Sequence, residues 1–469
     1  STTTWTKFAG TADTYLARFG WLPEGHELYA EVLNRAQTRL TLSSTDPVDG
    51  KTRTLTTVND PDWIDVRSKP HFLKSGGFVW STPEDGWQHL YLYSDQGHKV
   101  RRLTSGDYNV GQLAGVDESD GEVYFTHSTQ GPLDTELYSV SLKGGAPVAL
   151  TRTPGTHGID MGPKASAYLD VWSRATTQPS FTLVSLPEGK THVLAAAHQL
   201  PYPLVEPKFI TVTAGDGKTP IYASIMLPPD FDAAKQYPVI MYQYGGPDVG
   251  AVVRDAWGGN GFLFDQLLAR DGFIIFATDN RAASYFSHRD QALVKHHLGE
   301  LALQDQLAAV KWLKSQSYVD PQRIGIWGWS YGGYMTTYAL TRAPGVWRAG
   351  IAVAPVTRWE DYDSIYTERY MGTPQDNPQG YKDSSSVVSA GGLDSRLLLV
   401  AGTGDNNVHW QNTMQFVEAL IDAGKPYQLL IYPNKLHGIS GPKAQTHLFT
   451  AMEQFWLTQL KPPVQNQSP

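Results

Sequence analysis

The hydrophobic pattern of this chain changes period at Glu206-Pro207, and that change limits the possible folds more than any other feature. Before it, short apolar runs alternate with polar residues and are bounded by Gly, Pro and Asp. After it, nearly continuous apolar runs alternate with segments of helical period. Alternation describes strands with one face in a core, whereas solid apolar strands spaced by helices describe a sheet covered on both sides. At 469 residues the chain is also too long for one ordinary core, so two domains are expected, residues 1–206 and 207–460. The tail, residues 461–469, is expected to be disordered.

The first half repeats itself. Arg39-Leu-Thr-Leu42 leads to Arg53-Thr-Leu55, and His89-Leu-Tyr-Leu92 leads to Val100-Arg-Arg-Leu103. Glu136-Leu-Tyr138 leads to Val148-Ala-Leu150, and Ser180-Phe-Thr-Leu183 leads to Val193-Leu194. The starts lie 50, 47 and 44 residues apart, a spacing that fits β-propeller blades. An irregular β-sandwich is the alternative, because the repeats are degenerate. About four blades and a leading strand in residues 1–10 make an incomplete propeller, since a blade cannot bury its faces alone. The other blades are expected to be missing or supplied by a separate segment.

In the second half the strand candidates are Val239–Tyr242, Phe273–Phe276, Ile324–Ile326, Ile351–Val353, Leu397–Val400 and Leu429–Ile431. Leu303, Leu307, Val310 and Leu313 share one helical face between them. This predicts a doubly wound α/β domain.

Composition narrows the chemistry. The net charge is −8 and no Lys/Arg cluster carries interleaved aromatics, so nucleic acid is not an expected partner. The absence of cysteine excludes a disulfide framework, a thiol nucleophile and any Cys-ligated metal. No run of 18 apolar residues could span a membrane as a helix. His296-His297 would point to different sides of most elements, and Gly258-Gly-Asn-Gly261 lacks a P-loop lysine, so neither metal nor cofactor is expected.

The sharpest motif is Gly328-Trp-Ser330-Tyr-Gly-Gly333, which follows the strand run Arg323–Trp329 and precedes a helical segment. A serine on a tight strand-to-helix turn needs small neighbours, because the backbone is strained and the hydroxyl must stand clear of the sheet. Leu397–Ala401 feeds Gly402-Thr-Gly-Asp405, and Leu429–Tyr432 feeds Pro433-Asn-Lys-Leu-His437. Ser330, Asp405 and His437 thus follow successive strand ends in the order of an α/β-hydrolase. His437 would take the Ser330 proton and return it to the leaving group, and Asp405 would fix the imidazole tautomer. His409 is the second choice of base. The Tyr331 N–H and the Tyr244 phenol are candidate oxyanion donors, although Tyr244 could equally pack over its glycine turn.

At these residues the chain resembles the dipeptidyl peptidase IV branch of the prolyl oligopeptidase family of serine peptidases. The likeness runs through the elbow, Ala352-Val-Ala-Pro-Val-Thr-Arg-Trp359, Asp363-Ser-Ile-Tyr-Thr-Glu-Arg-Tyr-Met-Gly372, Gly402–His409 and His437-Gly-Ile439. Trp80–Tyr91 is similar to a propeller segment of the same branch. The resemblance implies an α/β-hydrolase catalytic domain behind an N-terminal all-β propeller that is partial here. It implies the triad and oxyanion donors above, and an apolar S1 pocket of Tyr331, Val356, Trp359, Tyr362, Tyr366 and Val408. It gives Asn407 a contact to the substrate carbonyl. Without it, Trp359, Tyr362 and Tyr366 read as ordinary aromatic packing.

The implied activity is release of N-terminal dipeptides with Pro, or Ala, at P1. The alternatives are a tripeptidyl, acylaminoacyl or oligopeptidase activity, or a non-catalytic homologue. Peptides with penultimate Pro are the implied partners, a homodimer the implied assembly, and a periplasmic or secreted location is favoured. Two departures stand out. The loop Asp279-Asn-Arg-Ala-Ala-Ser284 lacks the usual glycine after Asp-x-Arg, and no Glu-Glu pair occurs to grip a substrate amine.

Overall fold

The computed structural model describes residues 3–6, 8, 13–23, 25–129, 131–247 and 252–461. The expected disordered tail falls, after Lys461, outside the described residues. The chain forms two compact units: Ser1–Pro201 with Arg254–Trp257 and Tyr285–Ala292, and the remainder from Tyr202 onward.

Among the described residues, the first unit contains four antiparallel sheets of four strands each. Thr14–Trp21, Leu28–Asn34, Arg39–Thr45 and Thr52–Asn59 make the first, and His71–Phe72, Phe78–Thr82, His89–Tyr93 and Lys99–Arg102 the second. Leu113–Asp117, Glu122–His127, Glu136–Ser141 and Val148–Ala149 make the third. Thr156–Met161, Ala167–Arg174, Thr177–Ser185 and Thr191–Ala195 make the fourth. Each repeat read from the sequence is the third and fourth strand of one sheet. Residues 3–6 and 8 lie in no strand, and the rest of the leading strand expected in residues 1–10 lies outside the described residues; the first described strand is Thr14–Trp21, which pairs with Leu28–Asn34.

Period-two alternation explains why these sheets stack as blades rather than as a two-sheet sandwich. Phe78, Trp80, Tyr91 and Tyr93 of the second sheet pack with Leu33, Leu40 and Leu42 of the first. Val79 and Leu90, on the opposite face, pack with Val116, Val123 and Phe125 of the third. Tyr124 then turns the other way, into Ile159, Tyr168 and Val184 of the fourth. Each inner sheet is therefore buried on both sides, as in a propeller. By contrast, Leu16, Phe19 and Trp21 on the first strand are exposed.

Segment Tyr285–Ala292 is held within this unit by polar contacts. The Asn109 amide donates to the Phe286 carbonyl (2.9 Å), and the His288 N–H donates to Gly86 O (2.7 Å). The buried His288 ring meets Asp60 at 3.2 Å and Asp65 at 4.0 Å, and stands edge-on to Trp63. Asp60, Asp62 and His288 are close enough together to suit a cation, but the arrangement is explained as an ion pair. Burial alone would lower the His288 pKa. The hydrogen bond to Asp60 and the charges of Asp65, Asp60 and Asp62 outweigh it, and the pKa is raised. A raised folded pKa means stabilisation that is complete below the ordinary imidazole value, about 6.5, and lost as pH climbs through the raised one. The melting-temperature gap between the parent and His288→Asn is therefore expected to be larger at pH 5.5 than at pH 8.5. An equal gap at both would remove the charge from this account.

The second unit is built on one eight-stranded sheet: β1 (Lys208–Thr213), β2 (Pro220–Met226), β3 (Tyr237–Tyr242), β4 (Ile274–Thr278), β5 (Val319–Trp329), β6 (Ala349–Val353), β7 (Arg396–Gly402) and β8 (Gln428–Tyr432). The spatial order is β1-β2-β4-β3-β5-β6-β7-β8. β1 and β2 are antiparallel to each other, β2 is antiparallel to β4, and every later pair is parallel. The six strand candidates from the sequence are β3 to β8. β6 is buried at every residue, as a strand covered on both faces must be. Gly325 of β5 lets the long helix Pro442–Leu460 lie close, since a Cβ there would meet the Trp456 ring at 2.5 Å.

Candidate active site

All the parallel strands deliver their loops to one edge of the sheet, and the proposed catalytic residues come from three of them. Ser330 is the hinge between β5 and the helix Tyr331–Arg342, at φ 61° and ψ −118°. A left-handed non-glycine residue is costly, and it persists here because its neighbours fix it. The Ser330 N–H donates to Val353 O (2.8 Å), and Ser330 O accepts from the Tyr334 N–H (2.9 Å). The glycines around it permit backbone approaches that no side chain would allow. A Cβ on Gly328 would meet the Gly332 carbonyl at 2.5 Å and Gln243 O at 2.6 Å, and one on Gly333 would meet Val353 O at 2.5 Å.

Asp405 follows β7 and is buried. Its Oδ1 accepts from the N–H groups of Asn407 and Val408 (3.0 Å each), and its Oδ2 lies 2.7 Å from His437 Nδ1. A carboxylate at that distance places the imidazole proton on Nδ1 and leaves Nε2 as the basic nitrogen. His409 is exposed in the same loop. His437, after β8, is tied a second time: the Trp329 indole N–H donates to its carbonyl oxygen (3.0 Å). Sequence reasoning missed this tie, because nothing in Gly-Trp-Ser shows where the indole points.

Asp405→Asn tests the tautomer argument. The amide oxygen still accepts from Asn407 and Val408, so the turn should survive, but the amide N–H₂ favours the wrong imidazole tautomer. Turnover should fall roughly 10⁴-fold with little change in melting temperature. A loss below about tenfold would leave Asp405 without that role.

Tyr244 lies beyond the end of β3, with its phenol close enough to the Ser330 side chain to feel it electrostatically. Burial raises its pKa, the nearby Ser330 side chain opposes the rise, and the net shift is upward, so the phenol stays protonated as a donor. Its ring centroid is 5.8 Å from that of Tyr331. Tyr331 touches Trp359 (5.3 Å), and Trp359 stacks on Tyr366 (5.9 Å, 24° between planes) and stands edge-on to Tyr362. These four aromatics therefore form one wall beginning at the residue next to Ser330. Val356 and Val408 are buried in the turns after β6 and β7. The Tyr362 hydroxyl donates to Asn407 Oδ1 (2.8 Å), so the amide N–H₂ is the donor end of the Asn407 side chain. The loop bearing Val356 and Trp359 is braced at Thr357, whose N–H donates to Asn412 Oδ1 (3.1 Å) and whose hydroxyl donates to Asn412 O (2.6 Å). That brace was also not legible in the sequence.

Residues 264–463 match the model of the prolyl oligopeptidase family, and residues 1–179 match that of the dipeptidyl peptidase IV N-terminal region. The chain belongs to the dipeptidyl peptidase IV branch of the prolyl oligopeptidase family. Serine peptidases of this branch align with both units. A probable dipeptidyl-aminopeptidase B of Uncinocarpus reesii is 32% identical over 89% of this chain and 48% of its own length. Dipeptidyl peptidase 4 of Felis catus is 30% identical over 83% of this chain and 52% of its own. The crystal structure of Porphyromonas gingivalis dipeptidyl peptidase 4 superposes with a TM-score of 0.92 at 33% identity, covering 97% of this chain and 65% of that one. The chain spans about half the length of the curated relatives it matches.

Proposed function

We propose that this chain carries the acyl-transfer centre of a serine exopeptidase that releases N-terminal dipeptides with Pro, or less well Ala, at P1. The observation that carries the reading is the aromatic wall of Tyr331, Trp359, Tyr362 and Tyr366, which starts at the residue after Ser330 and beside the Tyr244 ring. A pyrrolidine ring is flat, has no N–H to satisfy and loses little conformational entropy against such a wall.

In the proposed reaction Ser330 Oγ attacks the P1 carbonyl carbon while His437 Nε2 takes the hydroxyl proton. The carbonyl π pair moves onto oxygen, where the Tyr244 hydroxyl and the Tyr331 N–H receive the charge. Collapse breaks the C–N bond, and the imidazolium returns the proton to the leaving amine. Water then repeats the sequence on the acyl-enzyme and frees the dipeptide.

Amine recognition is proposed to come from the rest of the propeller. The exposed Leu16, Phe19 and Trp21 on the first strand support further blades packing there, since apolar side chains clustered on one strand gain from cover. The deciding experiment compares Ala-Pro-, acetyl-Ala-Pro- and Ala-Ala-Pro-anilides on the intact protein. Cleavage of the first alone supports a dipeptidyl peptidase. Preference for the blocked substrate would favour an acylaminoacyl or oligopeptidase activity, and preference for the third a tripeptidyl peptidase.

A further inference from the structure

The loop Asp279–Ser284, which departs from the family pattern, is built into the support of the oxyanion site. We propose that Asn280 is a positioning residue for the Tyr244 hydroxyl, an inference that rests on the role given to Tyr244 above.

Asn280 is buried, and both ends of its amide are committed. Nδ2 donates to Gly245 O (3.1 Å), and Oδ1 accepts from the Ala282 N–H (2.8 Å). The orientation is fixed by these partners, because a flipped amide would set oxygen against oxygen and N–H against N–H. Its neighbours are pinned in turn. The Asp279 N–H donates to Tyr222 O (3.1 Å) on β2. The Arg281 N–H donates to Asp305 Oδ2 (2.9 Å), and its guanidinium Nε donates to Oδ1 of the same buried carboxylate (2.9 Å). Asp305 lies in the helix Glu300–Lys314. The amide is thus held from the sheet on one side and from a helix on the other, and it reaches across 35 residues to the turn that follows Tyr244.

That turn is where the Tyr244 ring rests. Gly245 has φ 85°, open to glycine and strained for other residues, and a Cβ there would meet Met335 Cγ at 3.0 Å. The ring packs directly on Gly246, with Tyr244 Cε1 2.8 Å from where a Cβ on Gly246 would be. The peptide joining Gly245 to Gly246 is therefore the platform beneath the phenol, and Asn280 holds the carbonyl of that peptide. Without the bond a partly buried carbonyl loses its donor, the platform can rotate, and the hydroxyl moves away from Ser330. The Tyr331 ring rests on the same glycine, with Cγ 3.1 Å from where a Cβ on Gly246 would be, but it is also packed against Tyr334 and Trp359, so the effect of Asn280 should appear chiefly in turnover through Tyr244.

A double-mutant cycle in the intact protein separates positioning from general support of the fold. Asn280→Ala should lower kcat roughly tenfold or more with KM held within about twofold, and slow fluorophosphonate labelling by a similar factor, as a misplaced oxyanion donor does. In a Tyr244→Phe background, where the hydroxyl is already gone, the same substitution should cost less than about twofold. Asn280→Asp keeps the acceptor for Ala282 and removes the donor to Gly245. It replaces Asn280→Ala in the cycle if that variant does not fold. An equal loss in both backgrounds, or an unchanged kcat in the single variant, would overturn the proposal while leaving Tyr244 in place. An unchanged kcat in Tyr244→Phe alone would overturn the oxyanion reading itself.

Discussion

Ser330→Ala is expected to lower kcat about 10⁶-fold, the scale seen when a triad nucleophile is removed. The protein should melt within a few degrees of the parent. The structural reason is that Ser330 is held through its backbone, by the N–H to Val353 O and the carbonyl to the Tyr334 N–H. Alanine keeps both contacts and faces the same left-handed strain. The hydroxyl lies near the Tyr244 phenol, and even a full hydrogen bond lost there would cost only roughly 1 kcal/mol. A variant that retained more than about 1% of parent turnover would move the nucleophile elsewhere.

The second large effect concerns the elbow's shape rather than its chemistry. Gly328→Ala should destabilise the hydrolase unit by about 3 kcal/mol and abolish activity, because the new methyl group would press on backbone alone. Its neighbours would be the Gly332 carbonyl and Gln243 O, neither of which is the end of a flexible side chain. For a unit of this size that corresponds to a melting temperature lower by roughly 6–12 °C. Gly261→Ala, with nothing within 4 Å of the added Cβ, is the matched control. Similar melting temperatures for the two variants would show that the turn can relax.

What could be read from the sequence follows from how local each signal is. Strands β3 to β8 were legible because burial on both faces leaves solid apolar runs such as Gly350-Ile-Ala-Val353. β1 and β2 were not, since Lys208–Thr213 lies at the sheet edge with a mixed, half-exposed pattern. The third and fourth strands of each blade gave the repeat. The first strands did not, because Thr14–Trp21 is partly exposed and His71–Phe72 is too short to show a period. Ser330, Asp405 and His437 could be chosen because each sits just past a strand whose apolar run announces its end. The ties that orient them were hidden. Trp329 to His437, Asn280 to Gly245 and Thr357 to Asn412 join residues far apart in the chain, and no spacing rule links them. The same holds for Tyr285–Ala292, which the sequence places in the hydrolase half and the structure groups with the blades.

Ser330, served by His437, is the nucleophile in the proposed peptidase reaction. The most direct measurement is to label the intact protein with a fluorophosphonate and map the adduct by peptide mass spectrometry, beside a His437→Ala variant. The account predicts one adduct, on Ser330, formed far more slowly when His437 is replaced. An adduct on another serine, or labelling of Ser330 at an undiminished rate without His437, would contradict it.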